Sequence, residues 1–375
     1  MQVKIQTLTP LWTGGANGSM DRIHETGIIG SMRWWYEAIV RGLGGSACDP
    51  INNKFNFNAK NYRESSCIDE RQRLRDAGLC DVCQVFGGTG WKRRFRVDVE
   101  DKTKPIWTQE DRMLNIRPPD RSRGWYLPPG RMGEFILNFS GDGQTLSLLA
   151  TLFLFLEKWG NIGAKPQLGY GIFEITNRSF VQNFAQHSWH DDMDIYKERA
   201  DIDQKSSIDL PNLRRFGFLR YNFHPEKGTW WTHAPGLERV ATNVQPIVKN
   251  FRTAPLAPPL KNEWRFRRWQ RWHGGPIDQM LMFGAPQLRW KGETKRVRSK
   301  AAVSWAYPVV DGWEMRGWAW LHDQRVASKV WDLLRDESGW QAAIKVPGQM
   351  TLYPSGAWNE WTTNGVAEFL DGTKW

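Results

Sequence analysis

Four cysteines, Cys48, Cys67, Cys80 and Cys83, are the residues of this chain best suited to chemistry. Cys80-x-x-Cys83 sets two thiolates within reach of one cation, and Cys48 and Cys67 can complete a tetrahedral four-thiolate zinc site. The set lacks the second close pair of a standard zinc ribbon, so free thiols or a redox pair stand as alternatives. Structural zinc is the expectation, because a long polar insertion with little core of its own needs a staple. Acid–base chemistry has two further candidates. Asp21, His24 and Glu25 stand close together in a glycine-rich stretch and could serve a ribonuclease, while His187, His190 and Asp191 could bind a metal. Histidines of this kind are more often surface or core residues, and neither a nucleophile elbow nor a zincin helix is present.

Other side chains suit binding better than bond making. Gly163, Gly169 and Gly171 flank Lys165 and Pro166 in one short loop. Such a loop either turns the chain or lets backbone amides approach a phosphate, with Lys165 supplying charge. Arg33 and Arg41 share the polar side of a helix with Glu37, for ion pairing or for phosphate contact. Lys92, Arg93, Arg94 and Arg96 follow Trp91, and Arg265, Arg267, Arg268 and Arg271 lie among Trp264, Trp269 and Trp272. A third basic run holds Lys295, Arg296 and Arg298. Cations interleaved with rings suit capture of an RNA strand, and they suit a protein interface as well.

A recurring order of elements must position these residues. Val3, Ile5 and Thr7 alternate as in a strand, and Met32, Trp35, Ile39 and Leu43 recur at helical spacing between Ser31 and Leu43. Alternation returns at Phe95, Val97 and Val99 and at Phe135, Leu137 and Phe139. Thr145 to Trp159 reads as a helix closed by Gly160, and Gly171 to Thr176 as a final strand. Strand, helix, strand, strand, helix, strand is the ferredoxin-like split βαβ. The reading is an α+β chain: a first domain over 1–178 with a cysteine-bearing insertion at about 44–92, an acidic linker over 179–212, and a second domain over 213–375. In the second domain, strands are expected at Phe216 to Phe223, Val303 to Tyr307, Trp313 to Leu321 and Ile344 to Tyr353. Helices are expected at Asn262 to His273 and Asp323 to Leu334, an order that loosely repeats the first.

The 375 residues carry 51 Lys and Arg against 40 Asp and Glu, a formal charge of +11, and 23 tryptophans. Positive charge attracts phosphate backbones regardless of sequence, and exposed rings stack on bases. Large aromatics more commonly fill cores. At 40% hydrophobic and 24% charged residues the composition is globular and not disordered. No apolar run is long enough to span a membrane, and Met1 to Ile5 lacks the apolar segment of a signal peptide. A cytoplasmic protein is expected.

Three segments together resemble one family. They are Leu8 to Gly15 with Gly27 to Trp35, Leu79 to Gly87 running into Thr89-Gly90-Trp91, and Ile162 to Gly171. The last is similar to the glycine-rich loop of the RAMP superfamily (repeat-associated mysterious proteins), and the Gly30 to Gly45 helix resembles that of the first-subunit family of the type III-B CRISPR effector, the Cmr complex. The likeness is strong over residues 1–177 and weaker past 210. It implies two ferredoxin-like, RRM-like βαββαβ domains and contact with guide RNA toward its 3′ part or with target RNA. It further implies neighbouring RAMP subunits in a multisubunit ribonucleoprotein, with cutting assigned to another subunit. The competing expectation is a RAMP endoribonuclease acting through Asp21 or His24. No aromatic octapeptide of the classical RNA-recognition sheet is present, so loops are the expected contacts.

Overall fold

The computed structural model describes residues 1–15, 18–49, 56–107, 113–197, 210–271, 275–290 and 292–374. The first unit begins with β1 (Gln2–Thr7) and α1 (Glu25–Gly42), then three short helices, α2 (Ala59–Glu64), α3 (Glu70–Asp76) and α4 (Asp81–Phe86). β2 (Phe95–Asp101) follows, then two small ribbons. In these, β3 (Lys104–Pro105) pairs with β6 (Arg131–Met132) and β4 (Leu114–Ile116) with β5 (Trp125–Leu127). β7 (Glu134–Gly141), α5 (Gly143–Lys158) and β8 (Phe173–Ile175) complete the unit. Its sheet runs β2-β7-β1-β8, antiparallel throughout. Val3, Ile5, Phe135, Leu137 and Phe139 are buried on one face, and the residues alternating with them are more exposed, as period-two patterning dictates.

α1 starts at Glu25, six residues before the expected Ser31. Ile28 extends the buried stripe of Met32, Trp35 and Ile39 backwards at helical spacing, a continuation masked by Gly27 and Gly30.

Two helices occupy the stretch expected as a linker, α6 (Arg178–Phe184) and α7 (Trp189–Lys197). Trp189 and Tyr196 of α7 are buried, so this is packed structure as far as residue 197. Glu198, Asp201, Asp203 and Asp209 lie outside the described residues.

The second unit runs β9 (Phe216–Phe223), α8 (Ala241–Phe251) and α9 (Ala257–Asn262). α9 continues through a π-helical turn, Glu263–Arg268, into α10 (Trp269–Arg271). The basic segment expected from Asn262 to His273 is therefore helical but under-wound at its centre, and Trp272 and His273 fall outside the described residues. Next come α11 (Pro276–Phe283), a ribbon of β10 (Ala285–Trp290) and β11 (Glu293–Val297), then β12 (Ala301–Val303), β13 (Tyr307–Val309) and β14 (Gly312–Trp320). α12 (Gln324–Leu334), α13 (Glu337–Ile344), β15 (Gly348–Tyr353) and α14 (Thr363–Asp371) close the chain. The strand expected from Val303 to Tyr307 is split between β12 and β13, both of which pair with β14. The second sheet runs β12-β14-β9-β15, the same antiparallel order as the first.

α1 and α5 lie between the two sheets. Phe153 of α5 meets Phe139 and Phe173 of the first sheet, while Phe155 meets Phe218 of the second. Trp35 of α1 packs on Phe216, Phe218 and Trp318. This explains why α5 is apolar all round: a helix covered on two sides has little polar face. It also explains β9, whose Phe216 and Phe218 face the first unit while Leu219, Tyr221 and Phe223 face the second unit's own core. Tryptophan serves this interior extensively: Trp35, Trp189, Trp264, Trp305, Trp331 and Trp340 are almost wholly buried. No described helix is long and apolar enough to cross a membrane.

Candidate nucleic-acid interface and thiol cluster

The glycine loop joins α5 to β8, and its backbone needs its glycines. Gly171 has φ +92, and a Cβ there would stand 2.0 Å from the Ile162 carbonyl oxygen. At Gly169 a Cβ would strike the Trp305 ring at 2.4 Å. The amides expected to meet phosphates are spent inside the protein. Gly163 donates to Ser31 Oγ at 2.9 Å, Ala164 to the Trp12 carbonyl at 2.8 Å, Gly169 to that of Pro166 at 2.9 Å and Gly171 to that of Pro10 at 2.9 Å. Lys165 carries what remains outward. Its Nζ lies 4.1 Å from the centre of the Trp12 ring, a cation–π contact. Burial and the nearby Arg296 push its pKa down.

The far side of the loop is the joint between the two units. Trp305 donates its backbone amide to the Gly169 carbonyl at 3.2 Å and its indole N–H to that of Leu168 at 2.9 Å. Fully buried Lys261 of α9 donates to the Gln167 carbonyl and Ser299 Oγ, each at 3.1 Å, and to the Ala301 carbonyl at 3.3 Å. Burial pushes the Lys261 pKa down to about 7, with Arg265 contributing. Through Lys261 the root of the β10–β11 ribbon stands beside the loop. Arg296 and Arg298 there are exposed and have no carboxylate partner among the described residues. Lys295 belongs to β11, but its side chain is outside the described set.

Three of the four cysteines come together. The Cys48 and Cys83 sulfurs are 3.6 Å apart, and those of Cys48, Cys80 and Cys83 all lie within 4.8 Å of one another, buried. Such a group can hold a metal ion. Cys67 is half-buried between α2 and α3 and stands outside it. The expected four-cysteine set is thus three, because Cys67 belongs to a separate turn. Arg33 and Arg41, expected candidates for RNA, point into this region. Arg33 donates to Cys83 Sγ at 3.3 Å, to the Gly87 carbonyl at 2.9 Å and to Glu37 Oε1 at 3.0 Å. Arg41 is buried and donates to the carbonyls of Cys48 at 3.0 Å and Pro211 at 3.0 Å. Hydrogen bonds from Cys80 and Cys83 hold the Cys48 pKa down to about 3, and the same contacts push Cys80 and Cys83 up. Ser46 and Asp81 tie the irregular segment carrying Cys48 to α4, with Ser46 N donating to Asp81 Oδ2 at 2.7 Å.

The glycine loop and the thiol cluster both fall within residues 4–174, which match the family model of the RAMP superfamily. Across its length the chain is also similar to the crystal structure of apo Cmr1 from Pyrococcus furiosus, at 14% identity and TM-score 0.41, covering 96% of this chain and 99% of that one. A chain of the type III-B Cmr-beta complex bound to cognate target RNA and AMPPnP, in the presence of ssDNA, is similar at 11% identity and TM-score 0.39. That likeness covers 100% of this chain and 98% of the other. No curated protein sequence matches.

Outside the glycine loop, the basic runs divide by whether their charges are already paired. Arg94 pairs with Glu70 at 3.1 Å and Arg93 donates to the Phe95 carbonyl at 2.9 Å, whereas Lys92 and Arg96 are exposed. In the π-helical turn, Arg267 pairs with Asp120 at 3.0 Å, and Arg268 bonds Glu263 at 3.0 Å as well as Asp336. Trp264 and Trp269 between them are core residues. The densest cluster in the sequence is therefore largely an internal ion-pair network, with Arg265 half-buried and Arg271 exposed. Sequence reasoning missed the loop between β4 and β5. Arg117 and Arg123 are exposed there, and Arg121 lies 3.6 Å over Phe266, a ring shared with Arg265 at 4.8 Å. Three arginines within 117–123 were the available signal.

The acid–base candidates separate. His24 Nε2 meets Asp21 Oδ1 at 2.7 Å, and that bond lowers the Asp21 pKa. His187 pairs with Asp192 at 2.9 Å and His190 with Asp371 at 2.6 Å. Opposed carboxylates hold these two histidines, and among the described residues only the cysteines form a group of metal donors.

Proposed function

We propose that the chain is a non-catalytic RNA-binding subunit of a cytoplasmic type III CRISPR effector ribonucleoprotein, of the kind that stands first in the Cmr complex. In this reading it has two ferredoxin-like units, 1–178 and 213–375, joined by the segment between them. It contacts the 3′ region of the guide RNA or the target RNA paired with it, and it docks on other RAMP subunits. A structural zinc ion holds its insertion. The observation that carries the reading is the constellation at the glycine loop: Lys165 over Trp12 with Arg296 beside it, and Arg298 exposed on the same ribbon root, neither arginine having a carboxylate partner among the described residues. Clustered cations without carboxylates repel one another, and a phosphate backbone relieves that repulsion while Trp12 offers a ring.

Fluorescence anisotropy with labelled single-stranded RNA tests this across a salt series. The slope of log affinity against log salt falls by about 0.7 for each phosphate contact removed. The triple variant Lys165→Ala, Arg296→Ala, Arg298→Ala is expected to lose roughly 2 units of slope. RNA affinity without salt dependence in the parent chain defeats the proposal.

The His24–Asp21 contact favours one second reading, a RAMP endoribonuclease. RNA cleavage by the purified chain that His24→Ala abolishes would establish it and remove the word non-catalytic.

A further inference from the structure

We propose that Cys48, Cys80 and Cys83 hold one zinc ion through three thiolates, that Arg33 is the positioning residue that neutralises and orients them, and that Cys67 takes no part. This rests on the zinc reading of the insertion and is independent of RNA binding.

The geometry is close to that of a loaded site. Zinc–sulfur bonds of about 2.3 Å at tetrahedral angles set neighbouring sulfurs roughly 3.8 Å apart. Cys48 and Cys83 are at 3.6 Å, and the third sulfur lies within 4.8 Å of both. Small side-chain rotations bring all three to a common centre. The Cys83 amide already donates to Cys80 Sγ at 3.4 Å, a bond that favours thiolate over thiol. Both sides of the site are anchored before any ion arrives. Arg41 fixes the Cys48 carbonyl, and the Ser46–Asp81 bonds fix the approach of that segment to α4.

Charge selects three thiolates over four. A divalent ion with three thiolates carries one negative charge, and the guanidinium of Arg33, 3.3 Å from Cys83 and 3.9 Å from Cys48, cancels it. Arg33 is held at that place by the Gly87 carbonyl and Glu37. Glu37 in turn faces Arg41 at 3.9 Å, so its own charge has a second partner. A fourth thiolate would leave an unmatched charge in a buried place, which is costly. Sulfur donors select zinc over magnesium, calcium and manganese. As the ion enters, the thiol protons leave to solvent and no electron moves. A water or another small donor fills the fourth position. The ion joins the segment after α1 to α4, and α4 leads through Gly87 into the Lys92 to Arg96 run. The metal thus fixes where those cations stand.

The test uses the full chain, with metal content by mass spectrometry, chelator competition and the absorption spectrum of the cobalt-substituted protein. One zinc per chain is expected in the parent and in Cys67→Ser, and none in Cys83→Ser. Cobalt should give thiolate-to-metal charge-transfer bands that Cys67→Ser leaves unchanged. Arg33→Gln should weaken zinc binding by roughly 10–100-fold, as loss of an outer partner does, with partial recovery in Arg33→Lys. Zinc that is bound by the parent and lost from Cys67→Ser overturns the three-thiolate assignment while leaving zinc in place. A parent chain that binds no zinc and whose four thiols all react rapidly overturns zinc itself. Unchanged affinity in Arg33→Gln removes Arg33 from the site. Should Cys83→Ser fail to fold, the parent and Cys67→Ser spectra still decide between three thiolates and four.

Discussion

Replacing Lys261 with methionine should change how the stability of this protein depends on pH, by an amount that follows from its burial. Burial moves the Lys261 pKa from 10.5 down to about 7 in the folded chain. In the unfolded chain the ammonium keeps its ordinary value. Between those two values the unfolded state holds a proton that the folded state lacks, so stability rises with pH there. It is fully developed above 10.5, falls through the interval, and is flat below about 7. At 1.36 kcal/mol per pKa unit the whole interval is worth roughly 5 kcal/mol, and the span from pH 7.5 to 9.5 roughly 2 kcal/mol. Lys261→Met has no such term. It leaves the acceptors on Gln167, Ser299 and Ala301 without their donor, a loss independent of the Lys261 titration. Guanidinium unfolding of both proteins at pH 7.5 and 9.5 separates the two effects. The expected result is that parent minus variant grows by about 2 kcal/mol toward the higher pH. Parallel changes in the two proteins would refute the reasoning, because they would mean that Lys261 is protonated in the folded joint across the whole range.

Two further substitutions probe the division between structural and binding groups. Gly171→Ala places a Cβ 2.0 Å from the Ile162 carbonyl oxygen at φ +92, so the loop must shift. A loss of about 1–3 kcal/mol is expected from the left-handed backbone alone, read as a lower melting temperature. Arg268→Ala leaves Glu263, which is only 7% exposed, and Asp336 short of a shared partner. It should destabilise by about 3–5 kcal/mol in denaturant unfolding while leaving the salt slope for RNA unchanged, since that charge is already paired.

Much of the element order was legible, because alternation and helical spacing report directly which residues face a core. β9 falls where its run of aromatics places it, and α12 starts after the Asp323 cap as the pattern implies. Where the local pattern is diluted, reading failed. Gly27 and Gly30 hid the first turns of α1, and the acidic residues around α7 obscured a helix anchored by Trp189 and Tyr196. That cysteines of the insertion could gather around one centre was legible, yet Cys67 was included with them because spacing cannot tell which turn reaches the other three.

Taken alone, the sequence determined that the chain is basic, rich in tryptophan, built from two runs of strands and helices, and similar over residues 4–174 to the RAMP family model. These are properties of composition and local period, and they survive without knowledge of distant contacts. The tertiary structure decided which charges are free. Arg41 turns inward to Pro211, 170 residues away, and Arg268 to Asp336, 68 residues away, while Lys165 comes to lie near Arg296. A cation's availability depends on whether a carboxylate or carbonyl lies within a few ångströms, and only the folded chain brings such partners together. The glycine loop shows the same limit: its pattern marked a close backbone approach, and the fold turned that approach toward Pro10, Trp12 and Trp305.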